Sequence, residues 1–232
     1  MESVTTAELA KHACNSYLAL RLSYVNGVAR LCEKVGADVR DIQKIMGLDP
    51  RIGSDYLTAG IGYGGYCLPK DVQALRVQAF QRDVQPLSDL LSAVESSNEA
   101  AVEAVVNIVR DELWNLEDKR IAVLGIAFKP GTDDTRDSPA LMLMQVLRQL
   151  GAEVHAWDPE AVQYATHDGM VQAMGGADCV VIATAWPEIA KSLPLAVNVL
   201  RRKLVVDAVG LTSESELPDG VQYRTVGMRK ES

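Results

Sequence analysis

The hydrophobic pattern of this chain changes once, close to Lys119, and that change limits the folds it can adopt. Before Lys119, apolar residues recur at helical spacing. After it, short continuous apolar runs such as residues 121–124 alternate with helical segments. The first pattern predicts amphipathic helices, and the second predicts buried parallel strands joined by helices. We therefore predict an all-helical unit over residues 1–117, followed by an α/β unit with a doubly wound parallel sheet over residues 118–232.

The positions of glycine and proline set the bounds of the expected elements. The helical unit is predicted to hold four helices, over residues 5–35, 39–46, 69–82 and 86–115. A loop rich in glycine and aspartate, residues 47–66, separates the second helix from the third. The α/β unit is predicted to hold four strands, at residues 121–125, 153–157, 179–183 and 204–207. A helix that begins at Ser138-Pro139 and ends near Gly151 joins the first two strands.

Composition excludes several classes of protein. The 232 residues carry a formal net charge of −8, which argues against a nucleic-acid-binding surface. No apolar run is long enough to cross a bilayer, and the first residues lack the charged and apolar regions of a secretory signal. The four cysteines lie far apart and form no Cys-x-x-Cys pair, so we expect neither a metal site nor a disulfide framework. A reducing, cytoplasmic setting is the simplest interpretation.

The loop over residues 61–71 carries the strongest functional signal. Three glycines within four residues let the backbone approach a ligand closely. Cys67 follows them, then Pro69, which suits the first turn of a helix, and then Lys70. A helix N-terminus and an ammonium group both favour a thiolate, so Cys67 is a candidate nucleophile. The alternative is a cysteine that only packs in the core, and the glycines, Pro69 and Lys70 favour the reactive interpretation.

Lys11 and Asn15 are four residues apart on a predicted helix, so they project from the same face. An ammonium and an amide in this arrangement could stabilise a developing oxyanion. The alternative is that Lys11 snorkels at the helix end and Asn15 caps a neighbouring loop. Asp71 could orient a water molecule or a lysine, or could merely complement the dipole of the helix that it helps to begin.

The loop after the first predicted strand occupies the position of a dinucleotide fingerprint but does not match one. Such a fingerprint needs three glycines, and only Gly125 is present. Lys129 and Arg136 bring cations to the edge of the sheet where ligands bind, although both could be solvated surface charges. Asp158 follows the second strand, where a ribose-binding acid could stand, but its Asp-Pro context favours a turn residue.

In these segments the chain resembles the UDP-glucose 6-dehydrogenase family, a group of nucleotide-sugar dehydrogenases. The resemblance runs through almost the whole chain in order and rests on residues 7–15, 49–53, 62–71 and 127–139. It implies a helical region that forms a homodimer and a Rossmann-like domain that binds UDP. The apolar stripe of predicted helix 86–115, too long for the other helices to cover, points to the same dimer.

The resemblance also implies the chemistry. Family members oxidise UDP-glucose twice with NAD to give UDP-glucuronate, and Cys67 would hold the intermediate as a thioester. Lys11 and Asn15 match the oxyanion-stabilising pair, and Asp71 matches a water-handling acid. The main NAD site of the family lies on a preceding domain that this sequence does not contain, so we expect the chain alone to be inactive. From this side of the cleft the expected contacts to NAD are Lys70 and Arg136.

The resemblance assigns a further set of residues to the nucleotide sugar. Most of them lie in the segment before Cys67 that wraps the substrate, and two follow the first strand. Arg51 matches an arginine that reaches the sugar site of the neighbouring subunit. The full set is Arg51, Tyr56, Thr58, Gly60, Gly62, Tyr63, Gly64, Phe128 and Lys129.

The chain departs from the family pattern in two places. Many members have Gly-Arg after the last predicted strand, where the arginine grips the substrate, and this chain has Ala208-Val209. Members also often carry Glu-Trp where this chain has Ala185-Trp186. Two alternatives therefore stay open: part of a GDP-mannose 6-dehydrogenase, or a non-catalytic dimerisation or regulatory module. Tyr66 and the Lys70-Asp71 pair argue against the dehydrogenases of N-acetylated sugars.

Overall fold

The computed structural model describes residues 3–228 and places four helices against a five-stranded parallel sheet. The helices are α1 (Val4–Val35), α2 (Val39–Leu48), α3 (Cys67–Gln81) and α4 (Gln85–Leu113). Strands and helices then alternate: β1 (Arg120–Leu124), α5 (Pro139–Gln149), β2 (Glu153–Trp157), α6 (Met170–Met174), β3 (Cys179–Ile182), α7 (Pro187–Ala196), β4 (Leu204–Asp207) and β5 (Gln222–Thr225). The predicted fold class, a helical region followed by a Rossmann-like sheet, is confirmed.

The long helix α1 begins and ends where its sequence provides caps. The Ser3 hydroxyl accepts a hydrogen bond from the Thr6 amide, and Gly36 adopts a φ of +78° while its N–H donates to the Cys32 carbonyl. Ala19 on α1 is fully buried in a cluster with apolar residues of α3 and α4, and Val25 is fully buried in the larger core that joins α4 to the sheet. These contacts fix α1 beside α3, which is what brings their polar side chains together.

The prediction that α4 leaves a long apolar stripe uncovered is wrong. Val94 and Val105 are almost completely buried within the chain, because α4 packs on α1, α3 and the core beneath the sheet. The uncovered stripe lies on α1, where Tyr17, Tyr24 and Leu31 recur every seven residues and are 57–60% exposed. The predicted dimer therefore depends on α1.

The sheet has the strand order β2-β1-β3-β4-β5, and every neighbouring pair is parallel. Ile121 on β1 pairs with Val154 on one side and Cys179 on the other. The central strands β3 and β4 are buried throughout, as expected of continuous apolar runs covered on both faces. Each such aliphatic side chain contributes about 1.5–3 kcal/mol relative to exposure to water.

The strand β5 was not predicted, since only four strands were expected. Its four residues alternate between partly exposed and buried positions, with Tyr223 and Thr225 turned inward. A short alternating edge strand after a loop resembles an irregular segment in sequence, because no apolar run marks it. Its pairing with β4 and the Tyr223 hydroxyl bond to the Thr212 carbonyl hold it in place.

The helix α3 begins two residues earlier than predicted. Its first residue is Cys67, and Pro69 is the third, a position where the missing N–H removes no hydrogen bond of the helix. The thiol therefore lies at the helix N-terminus itself. In the part of the chain that the structure describes, every helix is too short or too polar to span a membrane.

Candidate active site

The buried carboxylate of Asp71 gathers four nitrogen-bearing side chains from α1 and α3. The Asn15 amide donates to Oδ2 at 2.6 Å, and Lys11 Nζ lies 3.8 Å from the same oxygen. Lys70 Nζ lies 2.8 Å from Oδ1, and His12 Nδ1 lies 3.1 Å from it. Asp71 itself has no exposed surface. The structure thus brings Lys11, Asn15 and Asp71 together, as their predicted roles require.

The charges of this cluster stabilise one another. Burial alone would raise the pKa of Asp71, but the hydrogen bonds from Lys70 and Asn15 and the charges of Lys70 and Lys11 outweigh it and hold the pKa below its ordinary value. In return, the bond to Asp71 raises the pKa of Lys70. Asp71 is therefore an anion at neutral pH, and it anchors two ammonium groups and one amide at the contact between α1 and α3.

Cys67 lies one helical turn before Asp71 on the same face of α3. Its thiol is exposed, and the free N–H groups of a 15-residue helix begin at this residue. By contrast, Cys32 and Cys179 are buried, and burial raises the pKa of both thiols. Exposure, a helix N-terminus and the nearby Lys70 together make Cys67 the most suitable nucleophile among the four cysteines.

Two cations flank the ring of Tyr66, the residue before Cys67. The Arg136 guanidinium lies 4.6 Å from the ring centroid, and Lys70 Nζ lies 5.1 Å from it. Arg136 also forms a two-pronged ion pair with Asp134 at 2.6–3.2 Å, which lowers the pKa of Asp134 to about 2. The amide of Gly65 donates to the Arg136 carbonyl at 2.8 Å. The two residues that the resemblance assigned to NAD thus both contact the ring of Tyr66, the residue before the thiol.

Two glycines before Cys67, Gly64 and Gly65, allow the loop to pack closely on the α/β unit, a role that the sequence did not predict. A side chain at Gly65, which has a φ of +80°, would lie 2.7 Å from the Phe128 ring. A side chain at Gly64 would collide with the Asp137 carbonyl. These glycines therefore let the loop press against the α/β unit, and the space beside them is filled by the chain itself.

A cavity of about 150 Å³ opens at the carboxyl edge of the sheet, where ligands bind in doubly wound folds. The Ile61 amide donates to the Ala208 carbonyl at 2.8 Å and closes one side of it. Lys129 is the one charged residue in the lining that the structure describes, and its Nζ lies 5.5 Å from the Phe128 ring. The residues that decide its chemistry are Gly62, Phe128, Lys129, Thr184, Ala185 and Val209.

The loop after β1 does not fit a dinucleotide. The amides of Ile126 and Ala127, which would face a pyrophosphate, donate instead to the Asp158 carboxylate at 2.6 and 3.0 Å. A side chain at Gly125 would collide with Thr184, so this glycine is needed for packing. Asp158 is buried and also accepts from the Trp186 indole at 3.0 Å, so its oxygens are not free for a ribose.

Three of the predicted substrate residues lie away from both the Asp71 cluster and the sheet cavity. Arg51 forms a two-pronged ion pair with Asp49, and its side chain is 87% exposed. Tyr56 is exposed and has a positive φ of +56°, and Thr58 is exposed. Their assignment to the substrate stays a prediction.

Gly60 and Tyr63 are fixed by other parts of the helical unit. The Gly60 amide donates to Asn26 Oδ1 at 2.8 Å. Tyr63 is buried, and burial together with Glu95 raises the pKa of its hydroxyl to about 12. Asn98 on α4 accepts from the Tyr63 amide at 2.8 Å and donates to its carbonyl at 3.0 Å. The segment before Cys67 is therefore held rigidly between α4 and the sheet.

Sequence reasoning missed His12 and Asn98. His12 lies three residues before Asn15, so helical spacing could have placed both on one face. Nothing in the sequence identified Asn98, since its contact with Tyr63 joins residues 35 positions apart. A larger polar cleft of about 650 Å³ lies beside the same segment, between α3, α4 and the start of α5, and its lining includes Tyr66 and Lys70.

Taken together, the fold and the site define a nucleotide-sugar dehydrogenase architecture, with a thiol-bearing helical unit docked on a Rossmann-like sheet. The central-domain model of the UDP-glucose/GDP-mannose dehydrogenase family matches residues 5–100, and the UDP-binding-domain model of that family matches residues 122–214. The chain belongs to the UDP-glucose/GDP-mannose dehydrogenase family.

Named relatives agree with this membership. A putative UDP-glucose 6-dehydrogenase of Bacillus subtilis, YtcA, is 42% identical over 88% of this chain and 49% of its own length. The UDP-glucose 6-dehydrogenase YwqF of Bacillus subtilis is 38% identical over 97% of this chain and 53% of its own length. The chain therefore spans about half the length of the curated relatives it matches.

Solved structures show the same fold. A UDP-glucose dehydrogenase from Pyrobaculum islandicum superposes with a TM-score of 0.83 at 32% identity, covering 96% of this chain and 51% of that one. A UDP-D-ManNAc dehydrogenase from Pyrococcus horikoshii superposes with a TM-score of 0.82 at 30% identity, covering 97% and 52%.

Proposed function

We propose that this chain is the catalytic-thiol and UDP-sugar-binding portion of a UDP-glucose 6-dehydrogenase. The observation that carries the proposal is the Asp71 cluster, which sets Lys11, Asn15 and Lys70 around one buried carboxylate a single helical turn from the exposed thiol of Cys67. Family membership and the names of the 36–42% identical relatives support UDP-glucose as the substrate.

In the proposed reaction, the Cys67 thiolate attacks the aldehyde carbon of the partly oxidised sugar and forms a carbon–sulfur bond. The carbonyl oxygen becomes an oxyanion, which the Lys11 ammonium and the Asn15 amide stabilise. After the second oxidation, the same carbon is a thioester. Water attacks it, and Cys67 leaves as the thiolate while the uronate forms. Asp71 holds both oxyanion donors in place, because it contacts each of them directly.

NAD would accept the hydride in each oxidation, and the sheet of this chain does not bind it. Asp158 occupies the amides after β1, which supports a main NAD site in the part of the family's relatives that this chain does not span. Lys70 and Arg136 both contact the Tyr66 ring, next to Cys67, and would contact such a cofactor there. We therefore propose that the chain binds the nucleotide sugar but oxidises nothing by itself.

The sheet cavity is the proposed site of the nucleotide sugar. It contains Phe128 and Lys129, both of which the sequence assigned to the substrate, and Lys129 supplies a positive charge for the diphosphate. Val209 lines the same cavity where many family members carry an arginine. This substitution favours the competing candidate, a dimerisation or regulatory module that has kept the fold but not the grip on its ligand.

Calorimetric titration with UDP-glucose, GDP-mannose and NAD in separate runs tests the proposal. We expect UDP-glucose to bind and the other two ligands not to bind. Lys129→Ala should weaken the binding of UDP-glucose about 10- to 150-fold, because a charged hydrogen bond to phosphate is worth about 1.5–3 kcal/mol. Lys191→Ala, an exposed lysine on α7, is the matched control.

The other outcomes separate the alternatives. Tighter binding of GDP-mannose than of UDP-glucose would assign the chain to a GDP-mannose 6-dehydrogenase. If neither UDP-glucose nor GDP-mannose binds, the same titration of the Val209→Arg variant tells whether the chain has a weakened nucleotide-sugar site or none. Binding restored by that substitution would keep the enzyme proposal, while continued absence of binding would favour the non-catalytic module.

A further inference from the structure

Neither helix capping nor core packing accounts for the side chain of Tyr66. It is the N-cap residue of α3, a position that favours serine, threonine, aspartate or asparagine, but its side chain makes no capping hydrogen bond. Tyr66 is also 51% exposed, so it does not belong to the core. In the described part of the chain no hydrogen bond reaches its hydroxyl. The contacts that remain are those of its ring with two cations.

The two cations come from different parts of the fold. Lys70 lies one turn further along α3, and its Nζ is 5.1 Å from the centroid of the Tyr66 ring. Arg136 lies in the loop between β1 and α5, and its guanidinium carbon is 4.6 Å from the same centroid. Both distances fall within the range of about 6 Å over which a ring face attracts a cation. The ring thus contacts one cation of each unit, at the residue before Cys67.

The ring is a second anchor for each cation, because each also contacts a carboxylate. Lys70 Nζ lies 2.8 Å from Asp71 Oδ1, and the Arg136 guanidinium bonds to Asp134 at 2.6–3.2 Å. A charged group on a flexible stem can pivot about a single contact, and a second contact limits its range. The Gly65 amide donates to the Arg136 carbonyl at 2.8 Å and fixes the main chain of Arg136 near the ring.

Both cations lie within electrostatic reach of the thiol. The contact with Asp71 raises the pKa of Lys70, and an ionised Cys67 adds to that increase. The bonds to Asp134 raise the pKa of Arg136, and an ionised Cys67 adds to that increase too. An anionic reactant that approaches Cys67 therefore comes close to two positive charges.

We propose that Tyr66 is a positioning residue whose ring holds the Lys70 ammonium and the Arg136 guanidinium beside Cys67, so that reactants reach the thiol through a positive field. The inference rests on the proposed function of Cys67 and adds the class of reactant that this approach favours, a molecule with negative charge such as a diphosphate ester. The electron-rich face of the ring supplies the attraction, and the hydroxyl is not required.

Alkylation of Cys67 with an anionic and a neutral reagent measures this field without any cofactor. The thiolate displaces iodide from both iodoacetate and iodoacetamide, so the ratio of the two rates cancels the fraction of thiolate and isolates the charge of the reagent. Peptide mass spectrometry resolves Cys67 from Cys14, the other exposed thiol. In the unaltered chain at about 10 mM salt, the ratio at Cys67 should exceed that of the model thiol N-acetylcysteine amide by about two- to fourfold, the effect of a partly offset unit charge about 5 Å away in water.

Three substitutions separate the ring face from the other properties of Tyr66. Tyr66→Phe keeps the ring and should keep the ratio at Cys67. Tyr66→Leu keeps apolar bulk without an aromatic face, Tyr66→Ser supplies a capping hydroxyl, and both should lower the ratio about two- to fourfold. At about 1 M salt, where the Debye length is about 3 Å, the variants should converge. The ratio at Cys14 should not respond, and Tyr164→Ser, at a comparably exposed tyrosine of the α/β unit, is the matched control.

A ratio at Cys67 that Tyr66→Leu leaves unchanged would overturn the role of the ring. An equal loss in Tyr66→Phe and Tyr66→Leu would assign the effect to the hydroxyl and overturn it as well. A ratio in the unaltered chain no higher than that of the model thiol would overturn the positive approach. If circular dichroism shows that Tyr66→Leu does not fold, Tyr66→Ser decides alone, since serine suits the start of a helix.

Titration of the same proteins with UDP-glucose keeps this inference apart from the proposed function. A chain that binds no UDP-glucose would contradict the proposed function, while the ratio of alkylation rates would still report on Tyr66 and its two cations. A chain that binds UDP-glucose but shows no effect of Tyr66→Leu on the ratio would contradict this inference alone.

Discussion

Replacing Asp71 by asparagine removes the anion that contacts Lys11 and Asn15 of α1 from its place on α3. An ion pair at the 2.8 Å separation of Lys70 and Asp71 gains about 6 kcal/mol in surroundings with an effective dielectric constant of about 20, before desolvation is counted. The Lys70 and Lys11 side chains are 38% and 61% exposed, so water recovers much of that energy when the carboxylate is lost. We expect a net destabilisation of about 2–3 kcal/mol.

Thermal unfolding followed by circular dichroism measures this loss. For a chain of this size, about 2–3 kcal/mol corresponds to a fall in Tm of about 4–12 °C. Asp111→Asn, at an exposed position on α4, is the matched control and should change Tm by less than about 2 °C. A fall of less than about 2 °C in Asp71→Asn at pH 7 would refute the reasoning.

The pH dependence provides a second check with a defined sign. The folded-state pKa of Asp71 lies below its ordinary value of 3.8, so the unfolded chain binds the proton first as the pH falls. The stability that Asp71 contributes is therefore fully present above pH 3.8 and is lost as the pH falls through the folded-state value. The gap between the unaltered chain and Asp71→Asn should persist down to about pH 4 and shrink below it. A gap that closes between pH 7 and 5 would contradict this assignment.

Three further predictions test the remaining features. Gly65→Ala should destabilise the chain by about 2–4 kcal/mol in urea unfolding, because the new methyl group meets the Phe128 ring. The control Gly131→Ala, which has the same φ of +80° but open space around it, should cost only about 1–2 kcal/mol. Equal losses in the two variants would contradict the packing argument. Cys67 should react with iodoacetamide at pH 7 at least about fivefold faster than Cys14, the other exposed thiol, and faster labelling of Cys14 would count against an activated Cys67. Tyr24→Glu should convert a dimer to monomers in sedimentation equilibrium, while Phe80→Glu on α3 should not; a monomeric unaltered chain at high micromolar concentration would exclude the dimer.

The fold could be predicted because its signals are local. Helical spacing, a cap at Gly36 and the apolar run at Ile121 each depend on residues that are close in sequence. The strand β5 escaped because it is short, alternating and defined by its pairing with β4. The apolar stripe of α4 was judged uncovered for a related reason. Its cover comes from α1 and α3 around Val94 and from the sheet core around Val105, and these are tertiary contacts that no local pattern gives.

In the candidate site, too, some residues could be identified from local sequence signals, while others depend on tertiary contacts. Lys11, Asn15 and Cys67 were identified from spacing along their own helices and from the residues beside them. The meeting of α1 with α3 at Asp71 is a tertiary contact between residues 56 positions apart, and no spacing rule gives it. His12 was overlooked although it shares a face of α1 with Asn15, because nothing in the sequence placed Asp71 beside that face. The three glycines of the loop were expected to approach a ligand; Gly62 lines the sheet cavity, while Gly64 and Gly65 lie against Asp137 and Phe128.

The way in which the two units meet has a consequence for specificity. Backbone hydrogen bonds from Ile61 to Ala208 and from Gly65 to Arg136 fix the loop before Cys67 on the sheet edge. Because these bonds use main-chain atoms, substitutions of side chains in the cavity can change the ligand without moving the thiol. Val209 is such a position, since its side chain lines the cavity while the neighbouring carbonyl of Ala208 holds the loop. A chain with this architecture can therefore exchange a residue of the cavity and keep Cys67, Lys11, Asn15 and Asp71 in place.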